Sequence, residues 1–387
     1  MLTRRSFVTT TGSLALAHLL SSCGSSGADL RVLLLKGSVP PQLLRVFRQQ
    51  ISSGSSLDFK PQGQLKELFS LLETWQDKDE KKKGLLADLP QIPVINPPPP
   101  SLSDFVTLGD VWLGEAIAKK LIDPLNISEI ENWQTLPSVW QKLVKRDKQG
   151  NLQENGEIWG APYRWGTTLI AYRSDKLDWQ PQDWSDLWDQ RLSDRISMVN
   201  QPREVIGLTL KELGESYNTN NLEQVSQLKS KLLNLNQQVK YYSDQHYLQP
   251  LVVGDVWVSV GWSNEIIPLM AKNRNIKAVV PASGTSIWSD IWVKPKAKEG
   301  QKELSKMAQQ WLDFCWQPQA ANLISLFADA ASPIINTMDK QELSPDIINN
   351  PLLFIDSAIF EKCEFLEPLS KISEEQYIKL WKKMRNS

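Results

Sequence analysis

The stretch "LRVLLLKGSVPPQLLRVFRQQI" (residues 30–51) sets the fold class. Its first seven residues form a short, almost continuous apolar run, which predicts a β-strand covered on both faces. Two prolines then precede Leu43, Leu44 and Phe47, whose spacing predicts an amphipathic helix that begins at the prolines. A buried strand followed at once by a helix is the repeating unit of an α/β protein with a mainly parallel sheet.

The same alternation of strand and helix continues along the chain. Further strands are predicted at "DFVTLG" (104–109), "GTTLIAY" (166–172), "RISMVN" (195–200), "VWVSVGW" (256–262), "IKAVVPA" (276–282) and "IWSDIWV" (287–293). Further helices are predicted at "GQLKELFSLLETW" (63–75), "DVWLGEAIAKKLI" (110–122), "REVIGLTLKELG" (203–214), "NEIIPLMAKN" (264–273) and "KELSKMAQQWLDF" (302–314). At 387 residues the chain is too long for one simple core, which favours two domains.

Composition excludes several classes of function. Lys+Arg 43 against Asp+Glu 44 leaves a formal net charge of -1, so the basic excess of nucleic-acid-binding proteins is missing and we predict no nucleic-acid partner. The two histidines are His18, near the N-terminus, and His246, which we predict to lie at the surface. We therefore expect no histidine metal site, no cofactor and no enzymatic activity, since phosphate-cradling and nucleophile-elbow motifs are also missing from the sequence.

The N-terminus has the pattern of an export signal. In "TRRSFVTTTGSLALAHLLSSC" (3–23), Arg4 and Arg5 precede a modestly apolar stretch that ends at Cys23. Twin arginines predict a twin-arginine export signal over 1–22, and the Leu-Ser-Ser-Cys ending is typical of a lipobox whose cysteine becomes lipidated. Residues 23–29 then read as a flexible tether. We predict a periplasmic protein anchored at the outer face of the cytoplasmic membrane; an ordinary secretory signal without lipid is the alternative.

Two further cysteines, Cys315 and Cys363, do not make a disulfide framework. Helical spacing puts Cys315 on an apolar face with Trp311 and Leu312, so we predict a buried free thiol.

The stretch "GTSIWSDIWVK" (284–294) places an acid between two tryptophans, a pattern that could form a ligand-binding site. Asp290 lies two residues from Trp288 and two from Trp292, so all three share one face of a strand. Either this is an edge strand with a solvated acid, or the indoles and the acid line a pocket for a cation.

Four blocks in register resemble the bacterial extracellular solute-binding proteins, specifically the spermidine/putrescine-binding branch that serves ABC importers. They are "GAPYRWGTTLIAYRSDKL" (160–177), "DWSDLWDQRLSDRISMVNQPREVIGLTLKELG" (183–214), "VVGDVWVSVGWSNEI" (252–266) and "GTSIWSDIWVKPKAK" (284–298). The resemblance implies a two-lobed periplasmic-binding-protein fold of type II, with crossing strands joining lobes that are each a mainly parallel sheet flanked by helices. Lobe one would comprise 29–165 plus 289–335, and lobe two 166–288 plus 336–387.

The same resemblance implies the ligand-binding residues. Trp262 and Trp288 would flank the solute, while Asp290 and Glu204 would accept its ammonium groups. The family's second carboxylate at this helix start falls on Gln201. Further candidates at the cleft are Asp110, Trp112, Tyr163 and Trp165.

The function implied is that of a monomeric, lipid-anchored receptor that captures a polyamine or another amine between its lobes and delivers it to an ABC transporter permease. Three alternatives stay open. Lys36, Arg164 and Arg203 could hold an anionic solute in the same fold, or acids could hold a metal complex. The chain could instead be an exported hydrolase that uses carboxylates such as Asp290, or an envelope scaffold with a degenerate cleft.

Overall fold

The computed structural model describes residues 28–83, 103–128, 130–296 and 303–386. The predicted export signal and Cys23 lie outside these residues. Within them, no helix is both long enough and apolar enough to cross a bilayer.

All seven predicted strands are present, and the described residues contain six further strands that the apolar pattern did not predict. The strands are β1 (Leu30–Leu35), β2 (Leu57–Gln62), β3 (Phe105–Gly109), β4 (Ile122–Asp123), β5 (Lys145–Arg146), β6 (Glu157–Ile158), β7 (Ala161–Arg173), β8 (Ile196–Val199), β9 (Val239–Ser243), β10 (Val258–Trp262), β11 (Ile276–Val279), β12 (Ser286–Pro295) and β13 (Glu364–Phe365).

Helices alternate with these strands, so the predicted α/β class is confirmed. They are α1 (Pro41–Gln50), α2 (Leu65–Lys83), α3 (Leu113–Ala118), α4 (Glu131–Thr135), α5 (Ser138–Val144), α6 (Pro202–Glu212), α7 (Leu228–Gln238), α8 (Gln249–Val253), α9 (Ser263–Lys272), α10 (Lys306–Cys315), α11 (Pro318–Phe327), α12 (Pro345–Ile348), α13 (Ser357–Phe360) and α14 (Lys371–Arg385).

One predicted helix is shorter than its apolar pattern. The pattern 110–122 becomes a 3₁₀ turn followed by α3, which ends at Ala118. Lys120 adopts a left-handed φ of 56°, and the amides of Lys120 and Leu121 bond back to the carbonyls of Ile117 and Ala116. This pair of bonds is a Schellman ending, which glycine normally signals. Because lysine rather than glycine occupies the left-handed position, the end of α3 cannot be predicted from the sequence.

The chain divides into two compact units. Unit 1 comprises the described part of Met1–Arg164 together with Ser289–Ala328 and Ser332–Glu342; unit 2 comprises Trp165–Trp288, Asp329–Ala331 and Leu343–Ser387. The chain passes from one unit to the other inside two long strands, after Arg164 in β7 and after Trp288 in β12.

Unit 1 contains the strand order β2-β1-β3-β12. β1 pairs in parallel with β2 and β3, whereas β12 pairs antiparallel with β3, so that Asp290 lies opposite Gly109. Its core is aromatic: Trp311 packs edge-on against Phe47 and Phe59. Cys315 is buried beside this core as a free thiol, which confirms the prediction.

Unit 2 contains β7-β10-β8-β9, with β11 also paired to β7. β8 is parallel to both β10 and β9, and β7 is antiparallel to β10 and β11. The apolar sides of α6, α7 and α14 pack on this sheet in one cluster that includes Val205, Leu232 and Tyr377. The predicted parallel pairing is present in both units, between β1 and its neighbours β2 and β3 and between β8 and its neighbours β9 and β10. The antiparallel strand pairs that are described involve β7 or β12, except for the pair β5–β6.

Candidate ligand-binding site

Glu204 is a buried carboxylate in the first turn of α6. Pro202 begins this helix and Gln201 is its N-cap, so the chain direction there is fixed by proline and the acid follows at the helix start. Glu204 is 5% exposed. Its Oε2 accepts from Thr168 Oγ1 at 3.0 Å and from Ser286 Oγ at 2.7 Å. Two hydroxyl groups on neighbouring strands therefore hold one oxygen of the carboxylate.

The second oxygen of Glu204 has only a weak partner. Trp262 Nε1 donates to Oε1 across 3.4 Å. Burial raises the pKa of Glu204 against the opposing effect of these three hydrogen bonds. No described residue forms an ion pair with it; Arg203 acts on it only as a nearby charge, because its guanidinium donates to the carbonyl of Glu367 and to Asn218 Oδ1. The charge of Glu204 is thus held by neutral donors.

Trp262 is the last residue of β10 and the N-cap of α9, and its indole is half-buried. Its backbone amide donates to Tyr247 Oη at 3.2 Å, and its ring stands edge-on to the Tyr247 ring with centroids 6.2 Å apart. These contacts fix both the backbone and the indole of Trp262.

Trp288 lies at the point where β12 leaves unit 2, and it is also half-buried. Its indole lies against Gly166: a Cβ on that glycine would be 2.5 Å from Trp288 Cζ2 and 2.1 Å from Ser263 Oγ. Gly166 therefore sits between Trp288 and the residue that follows Trp262. Unit 2 brings the two predicted indoles and Glu204 into one neighbourhood. Gln201, also half-buried, donates instead to Asp244 Oδ1 at 2.9 Å.

In unit 1, Asp290 already has a cationic partner. Arg164 Nε and Nη2 each approach Asp290 Oδ2 at 2.6 Å, and Arg164 Nη1 donates to the carbonyl of Ala328 at 2.9 Å. Asp290 is 1% exposed and Arg164 is 3% exposed. The guanidinium thus supplies the positive charge that the sequence-based prediction assigned to a ligand.

Asp110, at the start of the 3₁₀ turn before α3, is the second unpaired acid. It is 4% exposed, and its Oδ1 accepts from the amide of Ser289 at 2.9 Å. Its Oδ2 is buried without a hydrogen-bond partner among the described residues. Burial raises the pKa of Asp110 to about 7, opposed by the Ser289 amide and by the charge of Arg146, while the charge of Asp290 adds to the increase. One oxygen of this buried carboxylate thus lacks the hydrogen bond that the other has.

The remaining predicted residues pack within their own units. Tyr163 is fully buried and stacks on Trp292 at 4.0 Å, with its hydroxyl 3.2 Å from Thr107 Oγ1. Trp165 is 1% exposed and stands edge-on to Phe360. Trp112 is half-buried against Phe69. The rings of Tyr163 and Trp165 are thus occupied by contacts within their own units.

Sequence reasoning missed the hydroxyl groups that hold Glu204. Thr168 is fully buried in β7, and Ser286 is almost fully buried in β12. A polar residue inside a buried strand is a usable signal because it must find a hydrogen-bond partner. Arg164 and Asp290 carry the same signal, because both are charged residues in buried strands, but their separation of 126 residues hides the fact that they pair with each other.

No group of His, Cys, Asp or Glu in the described residues is arranged to hold a metal ion. A surface depression of about 300 Å³ in unit 2 is lined by Arg173, Val252, Asn273, Arg274, Asn275 and Ile276. Asp175 and the carbonyls of Leu251 and Val252 already bind the Arg173 guanidinium. None of the predicted binding residues lines this depression.

Comparison with known families gives a match over most of the chain. Residues 102–363 match the family described as bacterial extracellular solute-binding protein.

Individual relatives agree with that match. The spermidine/putrescine-binding periplasmic protein of Salmonella typhimurium is 26% identical over 229 residues, covering 57% of this chain and 63% of the relative. The putrescine-binding periplasmic protein of Escherichia coli is 25% identical over 259 residues, covering 60% of this chain and 67% of the relative. The chain thus spans 63% of the length of the first of these relatives.

Among solved structures, the fold is similar to that of the spermidine/putrescine ABC transporter substrate-binding protein PotD of Streptococcus pneumoniae. The TM-score is 0.74 at 20% identity, and the match covers 93% of this chain and 100% of the other. This likeness establishes the fold, which is the predicted one.

Proposed function

Because the chain belongs to the family of bacterial extracellular solute-binding proteins, we propose that it is the substrate-binding receptor of an ABC importer for a polyamine or another small amine. It acts as a monomer that holds the solute and passes it to a permease. The polyamine-binding relatives support the class of solute, and the buried acids described above support its charge. Capture without chemical change makes it a receptor rather than an enzyme.

The single observation on which this proposal rests is the state of Glu204. A buried carboxylate loses its hydration, and neutral donors recover only part of that loss. A protonated amine would supply both the missing positive charge and up to three N–H donors, one of which fits the weakly bonded Oε1. Glu204 is therefore suited to bind the ammonium group of a solute.

The two half-buried indoles provide the apolar part of the site. Trp262 adjoins Glu204 through its Nε1, and Trp288 is held against Gly166. An ammonium group or its neighbouring methylene groups over an indole face gain about 0.5 to 2 kcal/mol. A chain of methylene groups that ends in an amine could therefore contact the indoles with its methylene groups and Glu204 with its ammonium group.

Unit 1 offers Asp110 as a second ammonium acceptor. Its unpartnered Oδ2 can accept an N–H group, and a bound cation would favour the ionised form of a carboxylate whose pKa is about 7. The predicted role of Asp290 as an ammonium partner has less support than that of Asp110, because Arg164 already forms an ion pair with it.

An anionic solute has less support than an amine. Of the three cations proposed for it, Arg164 is paired with Asp290, and Arg203 is bonded to Asn218 and the Glu367 carbonyl. Lys36 alone is exposed and without a described partner.

We also propose that the receptor works in the periplasm, at the outer face of the cytoplasmic membrane, after twin-arginine export and lipidation of Cys23. The relatives from Salmonella typhimurium and Escherichia coli are periplasmic binding proteins, which supports this location.

Calorimetric titration tests the function. Putrescine, spermidine, a monoamine and a dicarboxylic acid are titrated into the purified protein at fixed salt, and we expect heat from at least one amine and none from the acid. Glu204→Gln should weaken amine binding at least tenfold, since it removes the charge while keeping the shape of the side chain.

Glu223→Gln is the matched control, because Glu223 is an exposed acid of the same unit. Binding of the acid but of no amine, or equal affinities in Glu204→Gln and Glu223→Gln, would refute the proposal.

A further inference from the structure

We propose that Tyr247 is a positioning residue that fixes Trp262 in the orientation in which its indole lines the amine site and its Nε1 reaches Glu204. This inference rests on the proposed function and adds to it a residue that need not touch the solute. It follows from a chain of hydrogen bonds that runs from Glu265 through Tyr247 to Trp262.

The backbone of Tyr247 is anchored to the sheet of unit 2. Its carbonyl accepts from Ser197 Oγ at 2.7 Å and from Ser259 Oγ at 3.3 Å. These serines lie opposite each other on β8 and β10, and their hydroxyl groups are 3.0 Å apart. Two adjacent strands thus hold the residue that carries the phenol ring.

The ring of Tyr247 is fully buried and lies directly on Gly261. A Cβ on Gly261 would be only 2.0 Å from Tyr247 Cε2, so the ring can take this position only because residue 261 is glycine. Gly261 immediately precedes Trp262, which places the phenol against the end of the strand.

The hydroxyl group of Tyr247 is both a hydrogen-bond donor and a hydrogen-bond acceptor. It donates its one proton to Glu265 Oε2 at 2.6 Å, and this leaves a lone pair to accept from the amide of Trp262 at 3.2 Å. Glu265 therefore orients the hydroxyl, and the hydroxyl holds the backbone of Trp262. The rings of Tyr247 and Trp262 also meet edge-on, at an interplanar angle of 88°, and this contact restricts the orientation of the indole.

Tyr247→Phe keeps the ring and its packing and removes only the hydroxyl group. One hydrogen bond of this kind is worth a factor of about 3 to 10 in an equilibrium constant, so we expect Tyr247→Phe to bind putrescine about 3- to 10-fold more weakly. Tyr241→Phe, on an exposed tyrosine of β9, is the control and should bind as the unchanged protein does.

A double-mutant cycle in the full-length chain separates positioning from a general structural role. If Tyr247 acts through Trp262, the loss caused by Tyr247→Phe should vanish in a Trp262→Ala background. Glu265→Gln keeps an acceptor oxygen and should bind almost normally, whereas Glu265→Leu should resemble Tyr247→Phe. An equal loss from Tyr247→Phe in both backgrounds would overturn the inference.

Amide hydrogen exchange decides the inference without any solute. In the ligand-free protein, Tyr247→Phe should lower the protection of the Trp262 amide about 3- to 10-fold, and Tyr241→Phe should not. Unchanged protection in Tyr247→Phe would overturn the inference even if amines bind. Failure of every amine to bind, with protection lost as expected, would instead remove the proposed function and leave Tyr247 as the residue that holds Trp262.

Discussion

Asp110, Glu204 and Asp290 are three buried carboxylates in two different electrostatic states. Asp290 is neutralised by Arg164 within hydrogen-bonding distance, whereas no described residue forms an ion pair with Asp110 or Glu204. Burying an unpaired charge costs free energy of folding, so a chain that keeps two such groups sacrifices stability. Removing the charge of either acid should therefore stabilise the ligand-free protein, and under the proposed function it should also weaken amine binding.

Asp110→Asn tests this expectation through pH. The pKa of Asp110 is about 7 in the folded protein and 3.8 in a model compound, so folding favours the protonated acid. Its contribution to the free energy of unfolding is complete below pH about 4 and is lost as the pH rises through about 7. We expect Asp110→Asn to exceed the unchanged protein in stability at pH 8, by up to a few kcal/mol at about 1.4 kcal/mol per pKa unit, and to equal it near pH 4.

Urea unfolding at pH 4, 6 and 8 measures this difference. Asp178→Asn, on an exposed acid, should show no comparable dependence on pH. A stability difference that stays constant from pH 4 to pH 8 would show that Asp110 is not a buried, unpaired acid.

Strands β7 and β12 determine where the candidate residues lie. Gly166 and Thr168 are on β7, and Ser286 and Trp288 are on β12; together they contact or hold the indole and carboxylate groups of unit 2. A glycine in a strand weakens the strand itself, so its presence beside Trp288 indicates a close approach of another group.

Gly166→Ala should displace Trp288. The added methyl group would lie 2.1 Å from Ser263 Oγ and 2.5 Å from Trp288 Cζ2, so at least one of these side chains must move. Overpacking of this kind costs about 1 to 3 kcal/mol of stability, and movement of the indole should weaken amine binding severalfold. Thermal unfolding and amine titration measure the two effects.

Gly63→Ala is the matched control for that substitution. A Cβ there meets only the carboxylate of exposed Glu67, at 3.2 Å, which can move aside. Equal effects of the two substitutions on amine affinity would contradict the assignment of Trp288 to the site.

The elements of the fold were more predictable from sequence than the contacts of the site. Apolar runs and helical spacing depend on neighbours within about ten residues, and β1, β3, β8, β10 and β12 all appear where those patterns predict them. The partner of a buried acid depends on the tertiary fold instead. Nothing near Asp290 in sequence reveals Arg164, and nothing near Trp262 reveals Tyr247.

In the whole molecule, two α/β units follow an N-terminal segment whose motif predicts export. The chain passes between the units inside β7 and β12 and three more times between residues 328 and 343, so each unit is assembled from separate segments of sequence. The family match covers 102–363 and leaves the N-terminal segment to be judged by its motif alone. That motif predicts a membrane anchor outside the described residues.

Cys23→Ala tests the anchor. In the bacterial host we expect the unchanged protein to sediment with membranes and to incorporate labelled palmitate, and Cys23→Ala to appear in the soluble periplasmic fraction without label. Cys363→Ala, which leaves the lipobox intact, should behave as the unchanged protein does. Recovery of the unchanged protein in soluble form without label would favour an ordinary secretory signal.

The pairing of β3 with β12 affects how the chain folds during its synthesis. Val106 to Gly109 find their partners in Asp290 to Val293, which leave the ribosome after about 180 further residues. At typical bacterial rates of synthesis this delay is roughly ten to forty seconds. During that time β3 presents an open edge of amide and carbonyl groups, and such an edge readily pairs with other chains. A fragment that ends at Arg164 should therefore aggregate. We expect the nascent chain to bind a chaperone until β12 has been synthesised and can pair with β3.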